Sequence, residues 1–198
     1  MDKADFIKAY MTHFRADNEF QAFFEMGGIL DKRKRVRQVV DRFKEIADFI
    51  FHDKEVWVLL SIWGVKSGAK EDLEKCGFKM ESSTEHWEGK LEDGLIDTSK
   101  FAEEALEDKE FLEELGIRYL KYEKYSFDAI RPLIQAIAGR ELALKRSANV
   151  TAYFLTFEGS HTMLNLYDDR DVELLSDNEV YVEQISREFN RYRSQDGC

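Results

Sequence analysis

The segment Val56–Trp63 constrains the fold of this chain more than any other part of the sequence. Its side chains are apolar almost without interruption, they are rich in β-branched and aromatic types, and the run ends at Gly64. That composition favours a β-strand. A strand that is apolar on both faces belongs in the interior of a sheet whose two faces are both covered. The sequence therefore predicts a sheet with a buried central strand.

The other periodic segments predict helices and strands in mixed order. Residues 150–157 and 162–167 read as two strands joined by a turn at Gly159, which predicts a hairpin. Ser176 and Glu179 form a capping box, which predicts the start of the last helix. The remaining predicted helices cover 6–14, 31–50, 69–76, 98–115 and 128–139, and the remaining strands cover 20–26, 85–88 and 118–124. We predict an α+β fold, an antiparallel or mixed β-sheet packed against several helices in a single domain, 1–198.

The sequence also bounds where the protein works. The first residues are charged and lead into a helical pattern, which is unlike a signal peptide. No run approaches the ~18 apolar residues of a membrane-spanning helix. The cysteines, Cys76 and Cys198, are too isolated for a disulfide framework. We expect a cytoplasmic protein that does not contact membranes.

Negative charge is concentrated in one segment. Residues 91–115 contain ten acidic residues and two lysines, a net charge of −8 out of −11 for the whole chain. We predict that 91–116 is an acidic helical insertion that binds a cationic protein partner, since a local charge excess steers association. Nucleic acid is excluded as a partner because its binding requires neutralisation of phosphates by cations. The predicted contact residues are Glu103, Glu104, Glu107, Asp108, Glu110 and Glu114.

No pattern of catalytic or metal-binding residues is recognisable along the chain. The histidines are scattered, without ligand-like spacing to one another or to cysteine: His13, His52, His86 and His161. Usual zinc spacings, glycine-rich phosphate loops and nucleophile elbows are missing from the sequence. We predict no catalytic residues, no metal and no cofactor, and a stability that a chelator does not change. The basic run 32–37 is interpreted as a solvated helix face, with an anion or partner contact as the alternative.

A second candidate site follows the strand 162–167. Asp168, Asp169 and Arg170 form the densest polar group in the chain. At a strand end they are able to bind a cation or a polar ligand. Alternatively, the aspartates cap a turn and the arginine pairs with a neighbouring carboxylate. The strand itself directs Leu164 and Leu166 towards the core, so that His161, Asn165 and Tyr167 share the opposite face. That face is either a groove or a wetted sheet surface.

Several short motifs resemble the bacterial family of unknown function numbered 3885. In that family a strand ends in Tyr-Asp-Asp-Arg-Gly and a later helix carries an aromatic–Asn motif. The similar segments here are Phe24-Glu25-Met26-Gly27, the helix 128–139, Tyr153-Phe154, Leu166-Tyr167-Asp168-Asp169-Arg170 and Phe189-Asn190-Arg191-Tyr192. The resemblance covers residues 20–63 and 117–193. It departs from the family at Asp171, where the family has glycine, and in the length of the acidic segment. It implies the fold and a bacterial origin, and no activity.

These observations favour a binding protein over an enzyme. The first hypothesis is an immunity-type inhibitor that neutralises a cognate bacterial toxin, such as a nuclease, by covering its cationic active cleft. The second is a regulatory or scaffold domain that binds another protein. The third is a metal-assisted enzyme that uses Asp168, Asp169 and Arg170.

Overall fold

A computed structural model describes residues 1–14, 20–64, 69–95, 114–145, 147–166 and 168–193 of the protein. The helix predicted over 98–115 falls almost entirely outside these residues. Of the predicted contact residues, Glu114 is described, in the turn before a strand. Outside the described residues lie the other five predicted contact residues (Glu103, Glu104, Glu107, Asp108 and Glu110) and Tyr167 of the second candidate site.

The described strands form one open antiparallel sheet. They are β1 (Phe20–Glu25), β2 (Val56–Trp63), β3 (Glu85–Gly89), β4 (Leu115–Tyr122), β5 (Val150–Thr156), β6 (Thr162–Leu166) and β7 (Asp171–Ser176). Their spatial order is β1-β7-β6-β5-β2-β4-β3, and each neighbouring pair runs antiparallel. The predicted hairpin of β5 and β6 and the predicted α+β class are confirmed.

Helices cover both faces of this sheet. They are α1 (Lys3–His13), α2 (Lys32–Phe51), α3 (Ala69–Lys75), α4 (Phe127–Arg140) and α5 (Glu179–Glu188). The side chain of Asp31 caps α2 by accepting a hydrogen bond from the Lys34 amide at 2.9 Å, as its short polar side chain at this position predicts. In the part of the chain that the structure describes, no helix is long and apolar enough to cross a bilayer.

The two faces of the sheet bury two separate hydrophobic cores. Val58 and Leu60 of β2 pack with α2, α4 and α5 in the larger core. Trp57 and Leu59, which point the other way, pack with Phe6 and the rest of α1 in the smaller core. Both faces of β2 are therefore removed from water, which confirms the prediction from its continuous apolar sequence. Burial of apolar area stabilises a fold by about 25 cal/mol per Å², so β2 stabilises the sheet through both of its faces.

One strand was missed, and two residues predicted to lie at helix ends belong to strands instead. The missed strand is β7, which pairs with both β1 and β6. Ser176 lies in β7, and Asn178 instead caps α5 by accepting from the Tyr181 amide at 3.1 Å. Leu115 was assigned to a helix but pairs with Trp63 in the sheet. In each case, strand pairing with residues distant in sequence outweighs a local helix signal.

Candidate functional site

Strand β6 ends in a tight polar turn. The carboxylate of Asp168 accepts hydrogen bonds from the backbone amide of Arg170 at 2.8 Å and from its guanidinium Nε at 2.7 Å. The Asp168 side chain is only 2% exposed, whereas that of Arg170 is 65% exposed. A charge-assisted bond of this kind satisfies a carboxylate that has lost its water. Asp168 is thus engaged within its own turn.

Asp169 connects the same turn to α2 and β1. Its buried carboxylate forms an ion pair with Arg35 of α2. The carbonyl oxygen of Arg170 accepts a hydrogen bond from the amide of Met26, the residue after β1. Gly27 follows, and a Cβ there would lie 2.5 Å from the carbonyl oxygen of Asp169. We call Arg35, Asp168, Asp169 and Arg170 the arginine–aspartate turn. Its bonds are internal, which favours the structural interpretation of this motif.

The opposite end of β6 carries a different arrangement, formed by His13, His161 and Asp177. Nδ1 of His13 lies 2.9 Å from Oδ2 of Asp177, and Nδ1 of His161 lies 2.5 Å from the same oxygen. The two imidazole rings have centroids 3.7 Å apart and are tilted by 34°. Each of the three side chains is 28% exposed. We call these residues the histidine–aspartate cluster.

Strand register brings His161 and Asp177 together. Thr162 of β6 pairs with Ser176 of β7, so the residues just beyond this pair face each other across the sheet end. The Ser176 hydroxyl donates to the carbonyl oxygen of His161 at 2.6 Å. Asn178 donates from its side chain to the Ser160 hydroxyl at 3.0 Å while it caps α5. Sheet pairing, a hairpin and a helix cap thus fix two members of the cluster.

Helix α1 delivers the third member, His13, at its last position. Phe6 of α1 stacks on Trp57 with ring centroids 4.5 Å apart. Near the start of α1, Lys3 lies 3.4 Å from the carboxylate of Asp93. The hydroxyl of Tyr119 donates to Asp93 at 2.8 Å, and burial together with this carboxylate raises the pKa of Tyr119 above its usual range. Helix α1 is therefore held at its beginning and along its apolar face, which directs its last residue to Asp177.

Asn165 of β6 occupies the face of the sheet that α1 covers. It is 5% exposed, and its side-chain amide donates to Glu173 at 3.2 Å. Met163 on the same face is also buried and belongs to the smaller core. The buried side chain of Met163 lies between His161 and Asn165 along this face. His161 belongs to the histidine–aspartate cluster instead. The structure thus does not join His161 and Asn165 to the arginine–aspartate turn in one site.

A shallow cleft of about 360 Å³ lies between α2 and α4. Its charged lining comes from Arg33, Arg37 and Arg131, with Asp41 beside them. Arg33 and Arg37 are exposed, as the solvated-face interpretation of 32–37 predicts. Arg35, in the same basic run, turns inward to Asp169 instead. In the basic run, Arg33 and Arg37 thus face solvent, whereas Arg35 forms an internal ion pair.

Sequence reasoning did not find the histidine–aspartate cluster. Its members are 148 and 16 positions apart in the chain, so no spacing rule for metal ligands applies to them. The available signal was the hairpin, which places His161 at the start of a strand. The prediction also required β7, which the sequence analysis missed, and the position of α1 on the sheet.

Comparison with known families gives a match that covers most of the chain. The sequence pattern of the family described as "Domain of unknown function (DUF3885)" matches residues 22–196. Comparisons with curated proteins and with solved structures give no match. The matched region contains the arginine–aspartate turn, His161 and Asp177, whereas His13 precedes it.

Proposed function

We propose that this protein, which belongs to the DUF3885 family, is an immunity-type inhibitor. The family has no assigned activity that the chain could inherit. It binds a cognate bacterial toxin domain and covers the active cleft of that domain. The observation that carries this proposal is the net charge of −8 within residues 91–115, in a chain of net charge −11. A segment with this density of negative charge complements the cationic cleft of an enzyme that acts on nucleic acid.

The geometry of the arginine–aspartate turn supports a binding role over the enzyme hypothesis. An enzyme that used Asp168 or Asp169 to hold a metal or a substrate would need their oxygens to be accessible. Both side chains are 2% exposed, and each is paired with an arginine. Freeing the carboxylate of Asp169 would leave a buried charge without its partner, which costs about 3–5 kcal/mol.

Inhibition by this mechanism requires neither a covalent step nor a cofactor. The acidic segment accelerates the encounter, because opposite charges raise association rates by up to orders of magnitude at low ionic strength. Once bound, the inhibitor needs only to occupy the cleft and exclude the substrate. A scaffold domain that binds another protein would share the fold but would not protect cells from a toxin.

The proposal is tested with the product of the reading frame next to this gene. Co-expression of the two should restore growth of cells that the neighbouring protein alone kills. The substitutions Glu103→Lys, Glu104→Lys and Glu107→Lys should then slow association, with little change in dissociation. Raising the salt concentration should slow association of the parent chain in the same way, because ions screen the attraction between opposite charges.

A matched control reverses three exposed glutamates elsewhere in the chain. Glu71→Lys, Glu123→Lys and Glu188→Lys change the net charge by the same amount at sites outside the segment. Both triple variants should remain within about 0.5 kcal/mol of the parent in unfolding free energy. Equal association rates for the two triple variants would contradict the assignment of the interface to the acidic segment. Failure of the chain to protect cells would contradict the inhibitor function.

A further inference from the structure

We propose that the histidine–aspartate cluster is a binding site for one divalent first-row transition-metal ion of the zinc class. The ligands are His13, His161 and Asp177. The bound ion joins the end of α1 to the adjoining ends of β6 and β7. This inference is independent of the proposed inhibitor function, because it concerns residues outside the acidic segment.

The positions of the donor atoms carry the inference. One ring nitrogen of His13, one ring nitrogen of His161 and a carboxylate oxygen of Asp177 all lie within 4.8 Å of one another. A tetrahedral site with metal–ligand bonds of about 2.1 Å places its donor atoms about 3.4 Å apart. The two nitrogens already lie 2.9 and 2.5 Å from the same oxygen. Each of these separations widens by less than about 1 Å to admit the ion, a change that side-chain rotations supply.

The ligand types indicate the class of metal. Two imidazoles and one carboxylate suit zinc, cobalt, nickel and ferrous iron, whereas magnesium and calcium prefer sites made of oxygen alone. Each ligand side chain is 28% exposed, so water has access to the remaining coordination position. Three protein ligands and one open position constitute an open type of zinc site.

The surrounding contacts hold these ligands before any ion arrives. The Ser176 hydroxyl fixes the backbone of His161, and Asn178 links the start of α5 to Ser160. Phe157 lies beside both imidazoles, with centroid distances of 6.4 Å to His13 and 6.1 Å to His161. Ligands that are oriented by such contacts lose less freedom on binding, and contacts of this kind support metal sites generally.

The cluster also explains why a metal would matter to this fold. Among the long-range polar contacts described for α1, those at its beginning are made by Lys3, whereas the one at its end joins His13 to Asp177. A metal would replace this single hydrogen bond by coordination to a residue from each of three segments. Slower opening of the C-terminal half of α1 is therefore the expected structural consequence.

The test uses the full-length chain, freed of any affinity tag and stripped of metal by chelation. Titration calorimetry with Zn²⁺ should show one ion per chain with micromolar or tighter affinity. Co²⁺ should give a visible absorption spectrum typical of nitrogen and oxygen ligands. Hydrogen exchange of the amides in the C-terminal half of α1 should slow when Zn²⁺ is added, while exchange in α4 stays unchanged.

Variants assign the binding to the cluster. His13→Gln, His161→Gln and Asp177→Asn should each weaken Zn²⁺ binding at least as much as the 10–100-fold that loss of an outer-shell partner costs. His86 lies exposed on β3, so His86→Gln serves as the matched control and should bind Zn²⁺ like the parent. Circular dichroism establishes that each variant is folded, and any two folded cluster variants suffice for the assignment.

Three results would overturn the proposal. They are a parent chain that binds no Zn²⁺ in the micromolar range, folded cluster variants that bind as tightly as the parent, and an equal loss of affinity in the His86→Gln variant. None of these outcomes bears on protection against a toxin, so failure here is distinguishable from failure of the inhibitor function.

Discussion

Strand β6 has a polar cluster at each end, and the two clusters differ in where positive charge comes from. In the arginine–aspartate turn, two carboxylates are almost completely buried and each is paired with an arginine of the same chain. In the histidine–aspartate cluster, two imidazoles converge on one oxygen of a half-buried carboxylate. The first cluster contains its own permanent cations, the two arginines. The second cluster has side chains that suit an added metal cation.

The difference shows how to separate a structural polar cluster from a binding site. A buried carboxylate requires a compensating charge and hydrogen bonds before the chain is able to fold. Arg35 and Arg170 supply the compensating charges, and Arg170 also supplies hydrogen bonds to Asp168, so the aspartates of the turn are not available to a ligand. Asp177 keeps contact with water, and one of its oxygens contacts both imidazoles. Moving the side chains around it therefore costs little free energy. Density of charge in the sequence pointed to the first cluster, but accessibility favours the second.

The largest effect should come from removing Asp169. The substitution Asp169→Ala leaves Arg35, which is 23% exposed, without its buried partner. We expect a loss of about 3 kcal/mol, the lower end of the range for a broken buried pair, because Arg35 retains some contact with water. Arg170→Ala removes a guanidinium that is 65% exposed, so water is able to take its place beside Asp168. The backbone amide of residue 170 continues to donate to Asp168, and the loss should be about 1 kcal/mol. Urea unfolding measures both values, and equal losses would contradict the assignment of the buried pair as the dominant contact.

A smaller effect should come from Gly27, two residues after β1, where the backbone passes close to the same turn. In Gly27→Ala the new Cβ would lie 2.5 Å from the carbonyl oxygen of Asp169 and 2.9 Å from Nε of Arg35. Because the first of these is a backbone atom, the turn must shift, at a cost of about 1–3 kcal/mol. Gly28→Ala is the control, since its Cβ meets nothing within 4 Å. If thermal unfolding showed both variants to be equally stable, the turn would be more adaptable than its contacts indicate.

The sequence was sufficient for much of the fold because the relevant signals are local or strongly periodic. The apolar run of β2, the hairpin of β5 and β6, and the Asp31 cap of α2 each act within a few residues. Strand β7 escaped prediction because its six residues alternate poorly, and its pairing with β1 and β6 is visible only in three dimensions. Ser176 and Glu179 fit the capping-box pattern, but Ser176 pairs with Thr162 in the sheet and Asn178 caps α5 instead.

The candidate sites were harder to predict for a related reason. The Asp168–Arg170 pairing is local, so its structural interpretation was within reach of the sequence. The partnership of Asp169 with Arg35 spans 134 positions, and nothing in the basic run 32–37 singled out the residue that turns inward. His13 and His161 are likewise joined only by the packing of α1 on the sheet. Long-range contacts of single side chains are what sequence patterns fail to specify.

The smallest effect should come from the other end of β6, and it completes the comparison. In metal-free protein, Asp177→Ala removes a carboxylate that is 28% exposed, so water replaces much of what is lost. We expect a change below about 1 kcal/mol, as for other accessible polar pairs, against the much larger loss for Asp169→Ala. Addition of Zn²⁺ at one hundred times the parent's dissociation constant should stabilise the parent by about 2.7 kcal/mol. The Asp177→Ala variant should gain at most about 0.4–1.4 kcal/mol, the values for a 100-fold and a 10-fold loss of affinity. Urea unfolding with and without Zn²⁺ measures all four values. A metal-free loss for Asp177→Ala as large as that for Asp169→Ala would mean that both ends of β6 are structural, because only a carboxylate on which the fold depends costs so much to remove.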